Sequence, residues 1–269
     1  MYGAKVNMNE PDIVYLYRDL LAKVLDGSKV GDTTEVLGAT ISLNLADCGS
    51  LIIPGRTNLA YMLGELTWYL SADNSLEFIS KFGKMWNNLS DDGKTCNSAY
   101  GHLLMNDPFN QIEHTIRILK TDKNSRRAIM NINRPDMFKG TTKDSPCTIS
   151  IQYMIRDNKL HCFVNMRSND VWLGLPYDIV FFTELQKYVA ARLSVDVGFY
   201  YHNAASLHLY DRDVVKAKGW LNGYWGVSSP KIDNGRLFDL YPILKMASQH
   251  ADDPKTMIVD IAYKLGVLK

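Results

Sequence analysis

The sequence predicts an α+β domain built around a large, mostly antiparallel or mixed sheet that is flanked by helices. Three observations predict it. Apolar residues recur at helical spacing in several long segments and alternate with polar residues in others. The clearest alternating pair forms a hairpin, which favours antiparallel strands. No internal repeat or low-complexity linker divides the chain, so we expect a single domain over residues 1–269.

The helices are predicted from apolar spacing and from signals at their ends. The first follows Asn9-Glu10-Pro11 and stops before Gly27. Its apolar positions are Ile13, Leu16, Tyr17, Leu20, Leu21 and Val24. Residues 58–69 are helical and unusually apolar, which predicts a buried helix. We also predict an amphipathic helix over residues 108–119 and a helix over residues 176–193.

The strands are predicted from alternation. We expect strands over residues 34–45 and 197–208, and between them a hairpin whose turn is Asp157-Asn158. The apolar face of the first hairpin strand consists of Ile149, Ile151, Tyr153 and Ile155. The apolar face of the second consists of Leu160, Cys162, Val164 and Met166.

Composition narrows the classes of function. The 30 basic and 29 acidic residues leave a net charge of +1, which disfavours long nucleic acid or an anionic membrane as partner. No apolar run reaches the roughly 18 residues of a membrane span, and the N-terminus lacks a signal pattern. Because the four cysteines lack C-x-x-C spacing, we expect reduced thiols in a cytoplasmic protein and no metal site.

Cys147 is the first candidate for chemistry. It follows Pro146 where a turn enters the first hairpin strand, and the proline restrains the approach of the chain. A thiol in such a position can be a nucleophile if a neighbouring positive charge lowers its pKa. From position alone, a buried core thiol is the more common interpretation.

Two arginines just before a predicted strand are candidates for binding an anion. Arg126 and Arg127 follow Ser125, and planar guanidinium groups suit phosphate. By themselves, two adjacent arginines are more often a surface salt-bridge pair.

A polar segment ends the second hairpin strand. It contains Arg167, Ser168 and Asp170 and leads into the tight turn Gly174-Leu175-Pro176, where free N–H groups face outward at a helix start. Because the hairpin turn is short, Arg167 and Cys147 lie near the same end of the paired strands. This places a positive charge beside the thiol.

In order and spacing, these segments resemble the thymidylate synthase superfamily from about residue 12 to residue 215. The matching motifs are Gly64-Glu65-Leu66-Thr67-Trp68, Tyr100-Gly101, Ser125-Arg126-Arg127, Pro146-Cys147, Arg167-Ser168-Asn169-Asp170, Leu173-Gly174-Leu175-Pro176 and His208-Leu209-Tyr210. So many separate elements in the family's order make the resemblance specific.

The resemblance implies a one-carbon transfer from 5,10-methylenetetrahydrofolate to C5 of a pyrimidine nucleotide. Cys147 would add to C6 of the base, and Glu65 would organise proton transfer through water. The 5′-phosphate would be held by Arg167 and Ser168. His208 and Tyr210 would bind the sugar 3′-hydroxyl.

The resemblance also implies a homodimer whose sheets pack back to back. Arg126 and Arg127 would then reach the phosphate from the other subunit. The folate side of the site would be formed by Asp170, Trp86, Leu89, Tyr100, Leu173 and Gly174.

The residue after Pro176-Tyr177 departs from the family pattern. Thymidylate synthases have an asparagine there, whose amide pairs with N3–H and O4 of uracil, and this chain has Asp178. An ionised carboxylate would face O4 with a lone pair. A carboxyl group can instead accept from N4 of cytosine and, when protonated, donate to N3. Without the family pattern, a helix N-cap is the ordinary interpretation of this aspartate.

Further departures resemble the phage deoxycytidylate hydroxymethylase branch of the superfamily. The second tryptophan that usually follows the one matching Trp86 is Leu89 here, Pro-Cys-His becomes Pro146-Cys147-Thr148, and Gly-Asp becomes Ala205-Ser206. In that branch water attacks the methylene intermediate, so the product is 5-hydroxymethyl-dCMP. A looser site at Leu89 would admit that water, although simple repacking explains a leucine equally well. The branch would also imply a phage-encoded protein.

Two family features are displaced or missing. A phosphate-binding arginine near the N-terminus is absent, and Lys29, one position from its expected place, would substitute for it. The family's C-terminal tail, which closes over folate, is not recognisable in residues 263–269.

Several alternatives stay open. A dUMP hydroxymethylase or a thymidylate synthase would have to tolerate Asp178 opposite O4, and a dCMP methylase would keep hydride transfer despite Leu89. A catalytically silent nucleotide-binding or RNA-binding relative is a different class. The intact set of Cys147, Glu65, Arg167 and Tyr210 speaks against it, and the near-neutral charge speaks against RNA.

Overall fold

A mixed sheet organises the fold. The structure is a computed structural model that describes residues 5–6, 13–48, 51–106, 108–137, 142–223, 232 and 236–269. Within these ranges the sheet has eight strands. They are β1 (Lys5–Val6), β2 (Ser28–Val30), β3 (Thr33–Asn44), β4 (Ile129–Asn131), β5 (Thr148–Arg156), β6 (Lys159–Met166), β7 (Asn169–Asp170) and β8 (Asp196–Tyr210).

The helices precede, interrupt and follow these strands. They are α1 (Ile13–Leu25), α2 (Leu59–Leu70), α3 (Leu76–Ile79), α4 (Trp86–Leu89), α5 (Tyr100–Met105), α6 (Gln111–Thr121), α7 (Leu175–Leu193), α8 (Val214–Gly223), α9 (Arg236–Gln249) and α10 (Pro254–Lys264). Short 3₁₀ turns cover Pro135–Met137 and Asp211–Asp213. In the part of the chain that the structure describes, no helix combines the length and apolar character needed to cross a membrane.

The strand order is β1-β3-β8-β6-β5-β4, with β2 added to β3 and β7 added to β8. The β3–β8, β4–β5 and β5–β6 pairs are antiparallel, whereas β6 and β8 run parallel. The predicted α+β class with a large mixed sheet is therefore confirmed. This order brings the C-terminal end of β6, β7 and the C-terminal part of β8 together, where several candidate residues lie.

The two faces of the sheet differ. One face is covered by α1 and α7 and buries Val164, Tyr200 and His202. The opposite face carries a row of half-exposed aromatic rings on β6 and β8, in which Phe163 and Tyr201 stack with centroids 4.7 Å apart. Side chains alternate between faces along a strand, so this row follows directly from the sequence.

The hairpin has the predicted turn but not the predicted first face. Asp157 and Asn158 both have positive φ, 50° and 55°, as a tight two-residue turn requires. The expected inward orientation of Ile149 is wrong, because a register shift between Thr148 and Ser150 turns it outward and leaves it 41% exposed.

One helix starts later than predicted, and the start signal of another cannot be compared. The helix predicted from residue 108 begins at Gln111, because the Asn110 side chain caps it by accepting from Glu113 N at 2.9 Å. The start signal Asn9-Glu10-Pro11 lies outside the described residues.

Candidate active site

Cys147 lies just before β5, within a loop that Arg167 holds in place. The Arg167 backbone N donates to Cys147 O at 2.9 Å. The Arg167 guanidinium donates to Pro146 O at 3.1 Å and to Ser145 O at 2.8 Å. A guanidinium has five N–H groups, so donors remain for an incoming anion. The structure thus brings the predicted thiol and cation together.

The surroundings of the thiol act in opposite directions. Burial raises the pKa of Cys147, while Arg167 and a hydrogen bond from Ser168 Oγ to Sγ at 3.7 Å lower it. Burial outweighs both, so the pKa of Cys147 is raised overall, although Arg167 acts in the direction that a nucleophile requires. The protein without ligand therefore holds Cys147 mainly as a thiol.

Asp178 lies in the first turns of α7, but it does not cap the helix. The N-cap residue is Gly174, so the helix-cap interpretation of Asp178 is wrong. The Oδ2 atom of Asp178 accepts from Asn169 Nδ2 at 2.7 Å. Burial raises the pKa of Asp178 to about 7 against the opposing effect of Asn169. Near neutral pH this carboxyl group therefore exists in both protonation states.

Gly174 makes that contact sterically feasible. A Cβ atom at Gly174 would lie 2.9 Å from Asn169 Nδ2 and 3.3 Å from Asp178 Oδ2. Its neighbour Leu173 is half-buried against the core. The predicted folate-side residues Leu173 and Gly174 thus form the turn that packs against the Asp178 carboxyl group.

Glu65 is a second buried acid, on α2. Its Oε1 atom accepts from the Tyr61 hydroxyl at 2.7 Å, and Trp86 Nε1 donates to the same hydroxyl at 3.2 Å. Burial, with a smaller contribution from the charge of Asp178, raises the pKa of Glu65 to about 8. Glu65, Asp178 and the predicted Trp86 therefore belong to one electrostatic neighbourhood.

Tyr100 closes the inner side of this neighbourhood. It begins α5, stacks on Tyr69 with ring centroids 5.4 Å apart, and is close enough to Asp178 and Cys147 for their charges to raise its pKa beyond the effect of burial. Leu89, at the end of α4, is half-buried against the core.

Asp170, His208 and Tyr210 lie on adjoining strands. The β7–β8 register pairs Asp170 with His208, and Asp170 Oδ1 accepts from the backbone N atoms of Trp172 and Leu173 at 2.7 and 2.9 Å. Burial raises the pKa of Asp170, although those two hydrogen bonds lower it. His208 and Tyr210 follow on the same face of β8, with ring centroids 5.3 Å apart.

Arg126 and Arg127 are far from Cys147 within one chain. They are exposed and precede β4, where Arg126 O accepts from Gln152 Nε2 at 2.8 Å. Ala128 O bonds Tyr153 N, six residues along β5 from Cys147, a span of about 20 Å. Lys29 on β2 is also exposed, and its ammonium pairs with Asp211. Arg126 and Arg127 therefore do not complete a phosphate site together with Arg167 in a single chain.

Five residues near the site carry no predicted role. Tyr61 bonds Glu65 and lies four positions before it on a helix, so helical spacing could have indicated the pair. The guanidinium of Arg56 lies 4.6 Å from the Trp172 ring centroid, which only the fold reveals. The others are Asn169, His202 and Tyr200 behind Asp178.

Most of the sequence matches a known family. The family model described as thymidylate synthase covers residues 16–233. The chain belongs to the thymidylate synthase family. It is therefore an enzyme of the thymidylate synthase type, a one-carbon transferase acting on C5 of a pyrimidine nucleotide. The family's one-carbon donor is methylenetetrahydrofolate.

Two relatives show the extent of the similarity. The thymidylate synthase of Francisella philomiragia subsp. philomiragia is 26% identical over 220 residues, which cover 74% of this chain and 80% of the relative. The thymidylate synthase of Buchnera aphidicola subsp. Baizongia pistaciae is 28% identical over 216 residues, which cover 75% of this chain and 81% of the relative.

Among the described residues, no three His, Cys, Asp or Glu side chains come together as a candidate metal site. The groups that the structure does assemble are suited to proton transfer and to covalent addition.

Proposed function

We propose that this enzyme is a hydroxymethylase that converts dCMP to 5-hydroxymethyl-dCMP. The observation that supports this most is Asp178, a buried carboxyl group with a pKa of about 7 at the position where the family's asparagine meets the base. A protonated carboxyl group can donate to N3 of cytosine and accept from its amino group. The same group cannot satisfy both N3–H and O4 of uracil when it is ionised.

The chain's residues divide the chemistry among them. The Cys147 thiolate adds to C6, and Asp178 gives its proton to N3, so that C5 becomes nucleophilic. Methylenetetrahydrofolate would supply the one-carbon unit, after which C5 loses its proton and tetrahydrofolate leaves unoxidised, so that an exocyclic methylene group remains. Glu65 takes a proton from the water that attacks this methylene group. Elimination of Cys147 restores the ring, and N3 returns its proton to Asp178. Water supplies the hydroxyl oxygen, and no hydride is consumed.

The substrate's anionic and polar ends have separate partners. Arg167 and Ser168 bind the 5′-phosphate, and His208 and Tyr210 bind the sugar hydroxyl. Arg126 and Arg127 of the second subunit complete the phosphate site, because one chain holds its own pair about 20 Å from Cys147. Lys29, whose ammonium pairs with Asp211, is the further cation that we assign to the phosphate. In this arrangement the cations that bind the phosphate dianion place further positive charge near the Cys147 thiol.

The folate side fits the residues present. Trp86, Leu89, Tyr100, Leu173 and Gly174 supply largely apolar surface, and Asp170 offers a half-buried carboxyl group of raised pKa. The Arg56 cation, stacked over Trp172, suits the carboxylates of the folate's glutamate. Leu89 is smaller than tryptophan and leaves room for the attacking water.

The second candidate is methylation of dUMP. The names of the two relatives support it, since both are called thymidylate synthase. It requires hydride transfer from the folate, with dihydrofolate as product. It also requires that the Asp178 carboxyl group lie opposite O4 of uracil without repelling it.

One assay separates the candidates. Tritium release from C5-labelled dCMP and dUMP is measured with methylenetetrahydrofolate, while dihydrofolate absorbance is followed in parallel. Release from dCMP without dihydrofolate is the expected result. Release with dihydrofolate would mean methylation, and preference for dUMP would contradict the proposed use of Asp178.

Asp178→Asn tests the basis of the preference. The amide can pair with N3–H and O4 of uracil, so we expect the dCMP/dUMP ratio of kcat/KM to fall by about 10²-fold or more. Glu184→Gln is the matched control, because it also neutralises a buried acid on α7. An unchanged ratio in Asp178→Asn would show that base choice lies elsewhere.

A further inference from the structure

A chain of buried hydrogen bonds runs behind Asp178. Asn169 Nδ2 donates to Asp178 Oδ2 at 2.7 Å, and Asn169 Oδ1 lies 3.0 Å from His202 Nε2. The Tyr200 hydroxyl lies 2.7 Å from His202 Nδ1. Tyr200, His202 and Asn169 are only 0%, 1% and 2% exposed, so water does not compete for these contacts.

The Tyr200 hydroxyl determines which atom is the donor in each of these hydrogen bonds. Among the described residues its hydrogen-bond contact is with His202 Nδ1, and a buried hydroxyl that donates to nothing is costly. It therefore donates to Nδ1. Burial lowers the pKa of His202 to about 3, which keeps the imidazole neutral, with one donor and one acceptor. Nε2 then carries the hydrogen and donates to Asn169 Oδ1, which turns the amide group toward Asp178.

We propose that Asn169, His202 and Tyr200 are positioning residues that favour dCMP by fixing which oxygen of Asp178 bears its proton. This inference rests on the proposed function. Oδ2 accepts from the amide, so the proton resides on Oδ1, for which no partner occurs among the described residues. Oδ1–H then meets N3 of cytosine, and the second lone pair of Oδ2 meets the amino group. With the amide reversed, Oδ1 and N3 would face each other as two acceptors.

The ionisable groups around Asp178 come from several elements. They are Glu65 and Tyr69 on α2, Tyr100 on α5, Cys147 before β5, Asp170 on β7 and Tyr200 on β8. Burial raises the pKa of Asp178, the Asn169 donation lowers it, and Asp170 raises it. Loss of the hydrogen bond from Asn169 therefore raises the pKa of Asp178. Because dCMP binding needs the protonated carboxyl group, the pH at which dCMP affinity falls should also rise.

The test is calorimetric binding of dCMP and dUMP by the full chain, without folate, from about pH 5.5 to 9. The variants are Tyr200→Phe, which removes one hydroxyl, and Asn169→Leu, which removes the donor with little change in volume. Tyr153→Phe is the control, since it removes a hydroxyl from another fully buried tyrosine that takes no part in these hydrogen bonds to Asn169 and His202. We expect the dCMP/dUMP affinity ratio to fall about tenfold in both variants. The pH midpoint should rise in both, and the control should change neither quantity.

Each outcome bears on the inference. An unchanged ratio and midpoint in Tyr200→Phe and Asn169→Leu overturns it while the proposed function stands. Equal weakening for both nucleotides at an unchanged midpoint also overturns it, because it indicates a purely structural role. Preference of the unaltered enzyme for dUMP overturns the proposed function, and the inference with it. Tyr200→Phe is mild enough to keep the test valid if Asn169→Leu does not fold.

Discussion

At the scale of single residues, two cysteines of the same sheet have different surroundings. Cys147 is half-buried beside Arg167 and Ser168, whereas Cys162 is fully buried on β6. Burial raises the pKa of both thiols, and a hydroxyl opposes it at each, Ser168 at Cys147 and Tyr153 at Cys162, but only Cys147 also has a cation beside it. A nucleophilic cysteine needs a neighbouring group that lowers its pKa, because only the thiolate attacks carbon.

Cys147→Ser is therefore expected to abolish turnover and to leave nucleotide binding largely intact. Serine keeps the hydrogen-bonding shape, but its hydroxyl is a far weaker nucleophile at neutral pH. Tritium release and equilibrium binding of dCMP measure the two effects separately. Cys162→Ala is the control, which should lose about 1–2 kcal/mol of stability and keep its activity. Tritium release by Cys147→Ser would show that the nucleophile lies elsewhere.

The sequence could predict those residues that lie inside recognisable local motifs. Cys147 and Arg167 are predictable together, because a two-residue turn forces their strands to pair. His202 and Asn169 are 33 residues apart and meet only because β7 pairs with β8. Long-range pairing of this kind leaves no periodic trace in the sequence, so the support behind Asp178 could not be foreseen.

At the scale of elements, the approach of α5 to α2 leaves no space for a side chain at Gly101. A Cβ atom there would lie 1.8 Å from Tyr69 O, so one helix would have to move. Tyr69 and Tyr100 stack at this same contact, close to Glu65 and Asp178. The family's Tyr-Gly pair therefore has a steric reason.

Gly101→Ala is expected to lower the free energy of unfolding by about 2–4 kcal/mol and to reduce activity. Urea unfolding and the tritium assay measure the two effects. Gly219→Ala on α8 is the matched control, because nothing lies within 4 Å of its added Cβ. That variant should gain about 0.5–1 kcal/mol from helix propensity. Equal stability of the two variants would contradict the close packing.

Strand boundaries illustrate what alternation can and cannot predict. The hairpin turn and most inward residues follow from a period of two. Ile149 does not, because the register shift after Thr148 adds a residue that the pattern counts as regular. The shift lies next to Cys147, so the irregular backbone occurs where the candidate chemistry is.

At the scale of the whole molecule, the buried acids make stability depend on pH. The folded pKa of Glu65 is about 8, above its unfolded value of about 4.3. The folded state then binds more protons than the unfolded state between these values, and stability falls as pH rises through this window. The contribution is fully present at low pH and is lost above about pH 8.

Glu65→Gln should remove this dependence while abolishing turnover. We compare the free energy of unfolding of the variant with that of the unaltered protein at each pH. This difference should shift in favour of the variant by roughly 2–5 kcal/mol between pH 5 and pH 8.5. Thermal unfolding at the two pH values measures the difference. Glu113→Gln is the control and should show nearly the same stability difference at both pH values. Arg192 holds the pKa of Glu113 low, so its contribution is lost only as pH falls below its unfolded pKa of about 4.3. If the stability difference between Glu65→Gln and the unaltered protein is the same at both pH values, burial does not raise the pKa of Glu65.

The half-exposed aromatic face of the sheet and the remote arginines together support a dimer with shared sites. If Arg126 and Arg127 act on the partner's phosphate site, a chain carrying Arg126→Ala and Arg127→Ala should be rescued by a Cys147→Ser chain. In a mixed dimer the first chain's Cys147 receives intact arginines, so random association restores about a quarter of the wild-type sites. Mixing Cys147→Ser with Glu65→Gln is the control, because both residues serve the same chain's site and every mixed dimer stays inactive. Mixed dimers that form by mass but recover no tritium release in the first mixture would place the phosphate arginines within a single chain.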